Sequence, residues 1–275
     1  MAVSHQVEFG SRSTTGKWTP FDWDDPVYGA QSKGEVVTIR TGGTSGTLAS
    51  GLWRTGPGIA GCNTDGSCDV VYSAPLGDET MLILEGSAEV TVTSTGKRYH
   101  FEVGSILSHP KHLDVSWHVN GPFLKKFWTI WDASPQPGVK GDDLYVGNIN
   151  DNPKSWTPFQ WNEPGQGPQL AGEYTLVRST GSTGTLKVGL WRTGLGMPGC
   201  QPDGSAILDY SAPLGDETIM LLEGLVTVVE AETGKTHKFQ AGDIIALPSG
   251  LKVTWISEAP FTKTFFVLTK GQLAD

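Results

Sequence analysis

The chain has 275 residues, with 29 Asp and Glu against 20 Lys and Arg, a net charge of −9 and a pI near 5.1. No Lys/Arg cluster interrupts that acidity, which argues against a nucleic-acid partner, and no apolar run approaches the ~18 residues that span a bilayer. The opening MAVSHQVEFG lacks a basic segment followed by an apolar one, so no secretory leader is expected and a cytoplasmic setting is the default.

Thirty-six glycines and 17 prolines are spread along the chain, the punctuation of a turn-rich all-β protein. In chain order, Glu35–Arg40 is a β-rich run after Gly34, and Leu48–Arg54 alternates toward Trp53. Met81–Leu84 is a short continuous apolar run, as expected of a strand buried on both faces. Glu89–Thr93 follows Glu85 and Gly86, a Thr95-Gly96 turn reverses the chain, and Tyr99–Val103 and Ile106–Leu107 lead to Pro110. Ala133–Pro153, rich in Pro, Gly, Asn and Asp, reads as a linker. After it the series returns as Glu173–Arg178, Leu186–Arg192, Ile219–Leu222, Val226–Glu230, His237–Gln240 and Ile244–Leu247, ending at Pro248. Such spacing between turns points to a sandwich or barrel.

The return is partly letter for letter. Gly51–Gly56 (GLWRTG) recurs as Gly189–Gly194, Tyr72–Thr80 (YSAPLGDET) as Tyr210–Thr218, and Trp18–Phe21 as Trp156–Phe159, each at an offset of 138. A period this long is a whole domain rather than a solenoid unit. Two domains follow, 1–137 and 138–275, each long enough to close a hydrophobic core. Cys62 and Cys200 are repeat equivalents, while Cys68 corresponds to Ala206. A Cys62–Cys68 bridge is sterically conceivable, and a reducing compartment argues against it.

The spacing around four glycines carries a resemblance. Glu79 is followed by six residues and Gly86, and Glu217 by six and Gly224; Gly104 is followed by five and Pro110, and Gly242 by five and Pro248. This resembles the two motifs of the cupin family, in register in both copies. The resemblance implies two tandem jelly-roll β-barrels, a bicupin, packed as an intramolecular pseudo-dimer, with a homodimer of chains as a further possibility. The Glu35–Arg40 and Glu173–Arg178 strands are expected to cross into the opposite barrel. In metal-binding cupins three histidines and a glutamate hold the ion. Here the histidine positions fall at Ser73 and Pro75, or Tyr72 and Ala74, and at Val115 and Val253. A lone carboxylate per barrel is a poor transition-metal site, so no cofactor is expected, with an atypical divalent metal as the alternative. The replacement pattern, Trp53, Glu79, Trp117 and Lys125 with Trp191, Glu217, Trp255 and Lys263 in the second copy, is similar to cupins related to ureidoglycine aminohydrolase and to the ethanolamine-utilisation cupins.

Each candidate has two readings. Glu79, facing inward among Met81 and Ile83, would be an acid or base with a raised pKa; alternatively it ion-pairs with Lys125 or Arg54 as scaffold, as Glu217, Lys263 and Arg192 would. Trp53, Trp117, Trp191 and Trp255 either stack on a ligand or fill the core. Tyr72 and Tyr210 offer a hydroxyl to a substrate. The Gly61–Ser67 and Gly199–Ser205 loops read as tight turns or as lids over the barrel mouths. Copy one alone has His100, His109, His112 and His118. His109 and His112 either join Glu79 in an acid–base or metal site or are drift on a turn, and His118 has the wrong parity for the pocket. The expectation is a small-molecule enzyme of lyase, isomerase or hydrolase type in the first barrel, with Glu79, His109 and Tyr72 catalytic. Trp53, Arg54, Trp117, Lys125 and His112 would bind substrate there. The second barrel would be a degenerate copy, although Glu217, Tyr210, Trp255 and Lys263 could still bind a ligand. A non-catalytic ligand-binding or sensor protein is the alternative.

Overall fold

The computed structural model describes residues 6–133 and 141–270. Throughout these the regular structure is β, as the alternating runs and frequent turns require. In the first half a seven-stranded sheet runs in the order Tyr145–Asn148, Ser105–His109, Asp78–Glu85, Leu124–Asp132, Thr47–Thr55, Gly29–Arg40, Thr19–Asp25. A four-stranded sheet, Cys68–Tyr72, Val115–Val119, Ala88–Val92, Arg98–Phe101, faces it. The second half repeats this as Glu8–Ser11, Asp243–Leu247, Asp216–Glu223, Phe261–Lys270, Thr185–Gly194, Gly167–Arg178, Thr157–Glu163. Its smaller sheet is Ala206–Tyr210, Val253–Ser257, Leu225–Glu230, Thr236–Gln240. The chain is therefore all-β, with two tandem two-sheet jelly rolls.

The strands that cross differ from the expectation. Glu35–Arg40 and Glu173–Arg178 stay in their own halves, paired with the strands at Thr47–Thr55 and Thr185–Gly194. Instead Glu8–Ser11, which precedes the first barrel, pairs with Asp243–Ala246 of the second, and Tyr145–Asn148, inside the stretch read as a linker, pairs with Ser105–Ser108 of the first. Each exchange covers an edge strand that would otherwise expose unpaired backbone groups. What crosses from the expected strands is side chains and not backbone pairing: Ile39 and Val177 pack in the core between the barrels, and an arginine ends each strand. Arg40 reaches Asp216 at 3.0 Å and Arg178 reaches Asp78 at 3.0 Å, and all four side chains are buried.

Period-two alternation gives the central strands of each larger sheet two apolar faces, because both faces are covered there. One face fills a barrel interior, with Trp53, Met81, Val115 and Trp117 in the first and Trp191, Ile219, Val253 and Trp255 in the second. The other face, with Leu52, Leu82, Phe127 and Trp131 against Leu190, Met220, Phe265 and Val267, forms a third core between the barrels. The halves are thus one packed pseudo-dimer. The glycines closing the Glu-x6-Gly spacing have a steric cause. Gly86 has φ +78 and a Cβ there would meet the Phe123 carbonyl oxygen at 2.0 Å; Gly224 has φ +86 with Phe261 at 2.4 Å.

The three cysteines are free, so the conceivable Cys62–Cys68 bridge is not formed. The Cys68 Sγ lies 3.3 Å from the Gly61 carbonyl, and burial pushes its thiol up to about 12. The Asp65 and Asp203 carboxylates cap their own turns through Ser67 and Ser205. Neither loop lends a side chain to the barrel cavities. No helix among the described residues is long and apolar enough to cross a membrane.

Candidate functional site

Glu79 and Glu217 each stand on the strand after the Pro-Leu-Gly turn, facing into their barrels and buried. From there the two interiors diverge. In the first, the Lys126 Nζ lies 3.3 Å from a Glu79 carboxylate oxygen and 3.0 Å from the Met81 Sδ. It also sits 4.9 Å over the rings of both Trp53 and Trp117. Burial lowers the Lys126 pKa while Glu79 opposes that shift. The cavity left around this pair is about 30 Å³, room for a water molecule or two. The first barrel is plugged by its own ion pair.

The other candidates of the first barrel spread out. His109 is Glu79's cross-strand partner and is fully buried. Its Nε2 lies 2.6 Å from the Leu113 carbonyl, so that nitrogen donates and Nδ1 is the bare one, with no hydrogen-bond partner. Burial lowers its pKa, so the ring is a neutral core histidine. The Tyr72 hydroxyl is buried without a partner, and burial with the Glu79 charge raises its pKa. His112 is exposed at φ +64, the turn position occupied by Gly250 in the second copy. His100 and His118 bond the outward Glu89 and Asp69. Arg54 pairs with Glu35 at 2.8 Å and lies 4.2 Å over Trp18. Lys125 approaches Glu85 at 3.7 Å, and Lys263 stands opposite Glu223 in register. The lysine that meets Glu79 is one residue on. The expected pairing of Glu79 with Lys125 or Arg54 therefore does not form, nor does that of Glu217 with Lys263 or Arg192. These cations stand beside Glu85, Glu35, Glu223 and Glu173 instead.

With its glutamate removed, Lys126 has no counter-charge in an apolar interior. Glu79→Gln is expected to destabilise the chain by about 3 kcal/mol at neutral pH. Because the lysine's folded pKa is then depressed further, stability of the variant should recover as pH rises toward the ordinary lysine range. Urea unfolding at pH 7 and pH 10 checks this; a loss independent of pH would mean that the ammonium is not the cause.

The second barrel has Thr264 where the first has Lys126, Phe266 for Trp128 and Ile219 for Met81. Removing that lysine leaves a cavity of about 160 Å³. Its buried floor holds Glu217 and Tyr210, whose hydroxyl donates to the Glu217 carboxylate. Burial pushes the Glu217 carboxyl up to about 7, against the lowering influence of Tyr210 and of Arg40. Burial and the Glu217 charge raise Tyr210 well above the usual phenol, so it remains a donor. Trp191 and Trp255 form walls, their indole N–H groups bonded to the Ala171 carbonyl and the Ser257 hydroxyl. They fill the core and line the cavity at once.

A profile described as the EutQ-like cupin domain matches residues 42–128 and 210–265, more than half of the chain. The chain belongs to the EutQ-like cupin family. Among solved structures this cupin is similar to a protein of unknown function from Pseudomonas syringae pv. tomato str. DC3000, at 15% identity over 96% of this chain and 99% of that one, with a TM-score of 0.64. Protein Ylba from E. coli matches at 10% identity over 100% and 96%, TM-score 0.59. A mutant of Bacillus subtilis oxalate decarboxylase matches at 16% over 97% and 78%, TM-score 0.51. At these identities the likeness is one of fold. No curated protein matches.

Cupins commonly carry a metal, and the donors here do not suit one. The positions of the usual histidines hold Ser73 and Pro75, or Tyr72 and Ala74, with Val115 and Val253, and Glu79 already faces an ammonium group. No group of three or more His, Cys, Asp or Glu among the described residues could hold an ion. His109 and His112 therefore do not complete an atypical metal centre with Glu79. What sequence reasoning passed over is Lys126 and its replacement by Thr264. The signal was available in the repeat alignment, as a cation lost at an inward-facing position.

Proposed function

We propose that this cupin acts on a small molecule in its C-terminal barrel by general acid–base chemistry, Glu217 taking or returning a proton and Tyr210 orienting it. The observation that carries this is a carboxyl group with a pKa of about 7 on the floor of a cavity of about 160 Å³. A general acid or base works best when its pKa lies near the operating pH, and buried, perturbed groups in a pocket are where such chemistry concentrates. The weight thereby moves from the first barrel, where Lys126 occupies the space, to the copy that the histidines had made look degenerate. Isomerase or lyase reactions that begin at an acidic C–H suit this pair. The resemblance to cupins related to ureidoglycine aminohydrolase supports a small-molecule role and supplies no reaction.

Phenylacetone, a neutral ketone with a ring and an exchangeable methylene, is a suitable probe in D2O. A proton leaves the C–H bond for the Glu217 carboxylate, the carboxyl exchanges with solvent, and a deuteron returns to carbon. The intact chain should accelerate deuterium incorporation at that methylene, and Glu217→Gln should abolish the acceleration while the ketone still binds. Binding without any acceleration by the intact chain would favour a ligand-binding or sensor role and overturn the catalytic one.

A further inference from the structure

The same cavity contains a second charge that the acid–base pair does not use. Lys187 lines it, half-buried, and makes no ion pair among the described residues. Its counterpart in the first copy is Ala49. Lys187 stands opposite Leu268, and Leu268 opposite Glu217, so the three form one row across adjacent strands. At the strand spacing of a sheet, Lys187 and Glu217 are about 10 Å apart along the backbone. Between and around them the wall is mostly apolar, with Leu268, Phe266 and Trp191, and Gln160 and Thr264 add neutral polar groups.

The two barrels thus treat an internal cation and acid in opposite ways. In the first, Lys126 and Glu79 neutralise each other. In the second, a lysine without a counter-ion and a carboxyl bonded to Tyr210 line the same cavity without an ion pair between them, and the room between them is mostly apolar. A partly desolvated ammonium gains from an incoming anion, whereas a second anion placed beside Glu217 would be repelled. An apolar cavity of about 150 Å³ accepts a benzene ring, which sets the size of the body that fits.

We infer that the second barrel binds a small monocarboxylate with an apolar, ring-sized body. The carboxylate lies at Lys187, the body against Trp191 and Phe266, and the far end of the molecule reaches Glu217 and Tyr210. Lys187 is then the residue that sets the charge specificity of the site. This deepens the reading of the second barrel as the ligand site and rests on it.

Three probes of one shape and different charge test the inference: phenylacetate, phenylacetamide and phenethylammonium, titrated calorimetrically into the full chain at pH 7.5. Phenylacetate should bind at least tenfold more tightly than the amide, and phenethylammonium, which only Glu217 could attract, should not share that gain from Lys187. In Lys187→Ala, the first copy's residue, the preference for phenylacetate should vanish while amide binding is retained. Equal affinities in the intact chain, or a preference that survives Lys187→Ala, would overturn the carboxylate inference and leave the site in place. Thr264→Lys, which reinstates the plug of the first barrel, should abolish binding of all probes. If they still bind, the ligand lies elsewhere and the reading of the second barrel falls with the inference. If no probe binds the intact chain, the carboxylate inference is overturned, and deuterium exchange into phenylacetone tests the barrel independently.

Discussion

Asp78→Ala is expected to destabilise the chain by about 3–5 kcal/mol, the usual cost of removing one partner from a buried pair. Asp78 accepts from Arg178 at 3.0 Å, from the Lys111 backbone N–H at 2.9 Å and from the Ser182 N–H at 2.6 Å. Its loss strands a guanidinium buried between the barrels and leaves two backbone donors unpaired. The pseudo-twofold partner, Asp216, accepts in the same way from Arg40 at 3.0 Å, from the Thr44 N–H at 2.7 Å and from the Ser249 N–H at 3.0 Å. Asp216→Ala should therefore cost a similar amount. Chemical denaturation of both variants is the measurement. A loss below 1 kcal/mol at either site would mean that the apolar core between the barrels holds them without these charges. Joint replacement of Asp78 and Arg178 by apolar residues should cost less than Asp78→Ala alone, because no charge is then left buried.

Between pH 4.5 and pH 7 the intact chain should lose roughly 3 kcal/mol of stability at Glu217 alone, and Glu217→Gln should not. The sign follows from the direction of the shift. The folded carboxyl ionises at about 7 against an ordinary value of 4.5. The folded state therefore holds its proton more tightly than the unfolded state. That stabilisation is complete below pH 4.5 and is gone once pH has risen through 7. The groups around the carboxyl are the Tyr210 hydroxyl, the Arg40 guanidinium and Asp216, with Lys187 on the same cavity. Tyr210 and Arg40 already act against the rise, so burial is its cause. Thermal or urea unfolding of both proteins at pH 4.5, 6 and 8 reads the difference directly. The curves should diverge, the variant gaining relative to the intact chain as pH rises. Parallel curves would show that Glu217 is ionised in the folded chain throughout this range.

The Asp pairs show how a strong sequence signal can carry a different message from the one first read. The longest identical block, Tyr72–Thr80 and Tyr210–Thr218, overlaps the first cupin motif and draws attention to its glutamate. Within it, Asp78 and Asp216 are the anchors for the exchanged arginines. Arg40 and Arg178 also recur at the same offset, each ending a β-rich run. Nothing in either half alone says that the partner of each lies in the other half. The error over Lys125 has another origin: it rests on the family pattern, a lysine eight residues past Trp117. Strand parity selects Lys126 instead, because Leu124, Trp128 and Ile130 face the first barrel's interior and Lys126 shares their parity.

The duplication, the all-β class, the cupin spacing and the missing histidine ligands were legible in the sequence by itself. They depend on glycines, turn residues and period-two alternation, all of which act over a few residues. Which barrel is open was decided by tertiary structure. A cavity is a difference between summed side-chain volumes on several strands, and here it turns on Thr264 replacing Lys126 opposite an unchanged glutamate. The partners of Glu79 and Glu217, an ammonium in one case and a phenol in the other, and the row that joins Lys187 to Glu217 likewise exist only once the strands are in register.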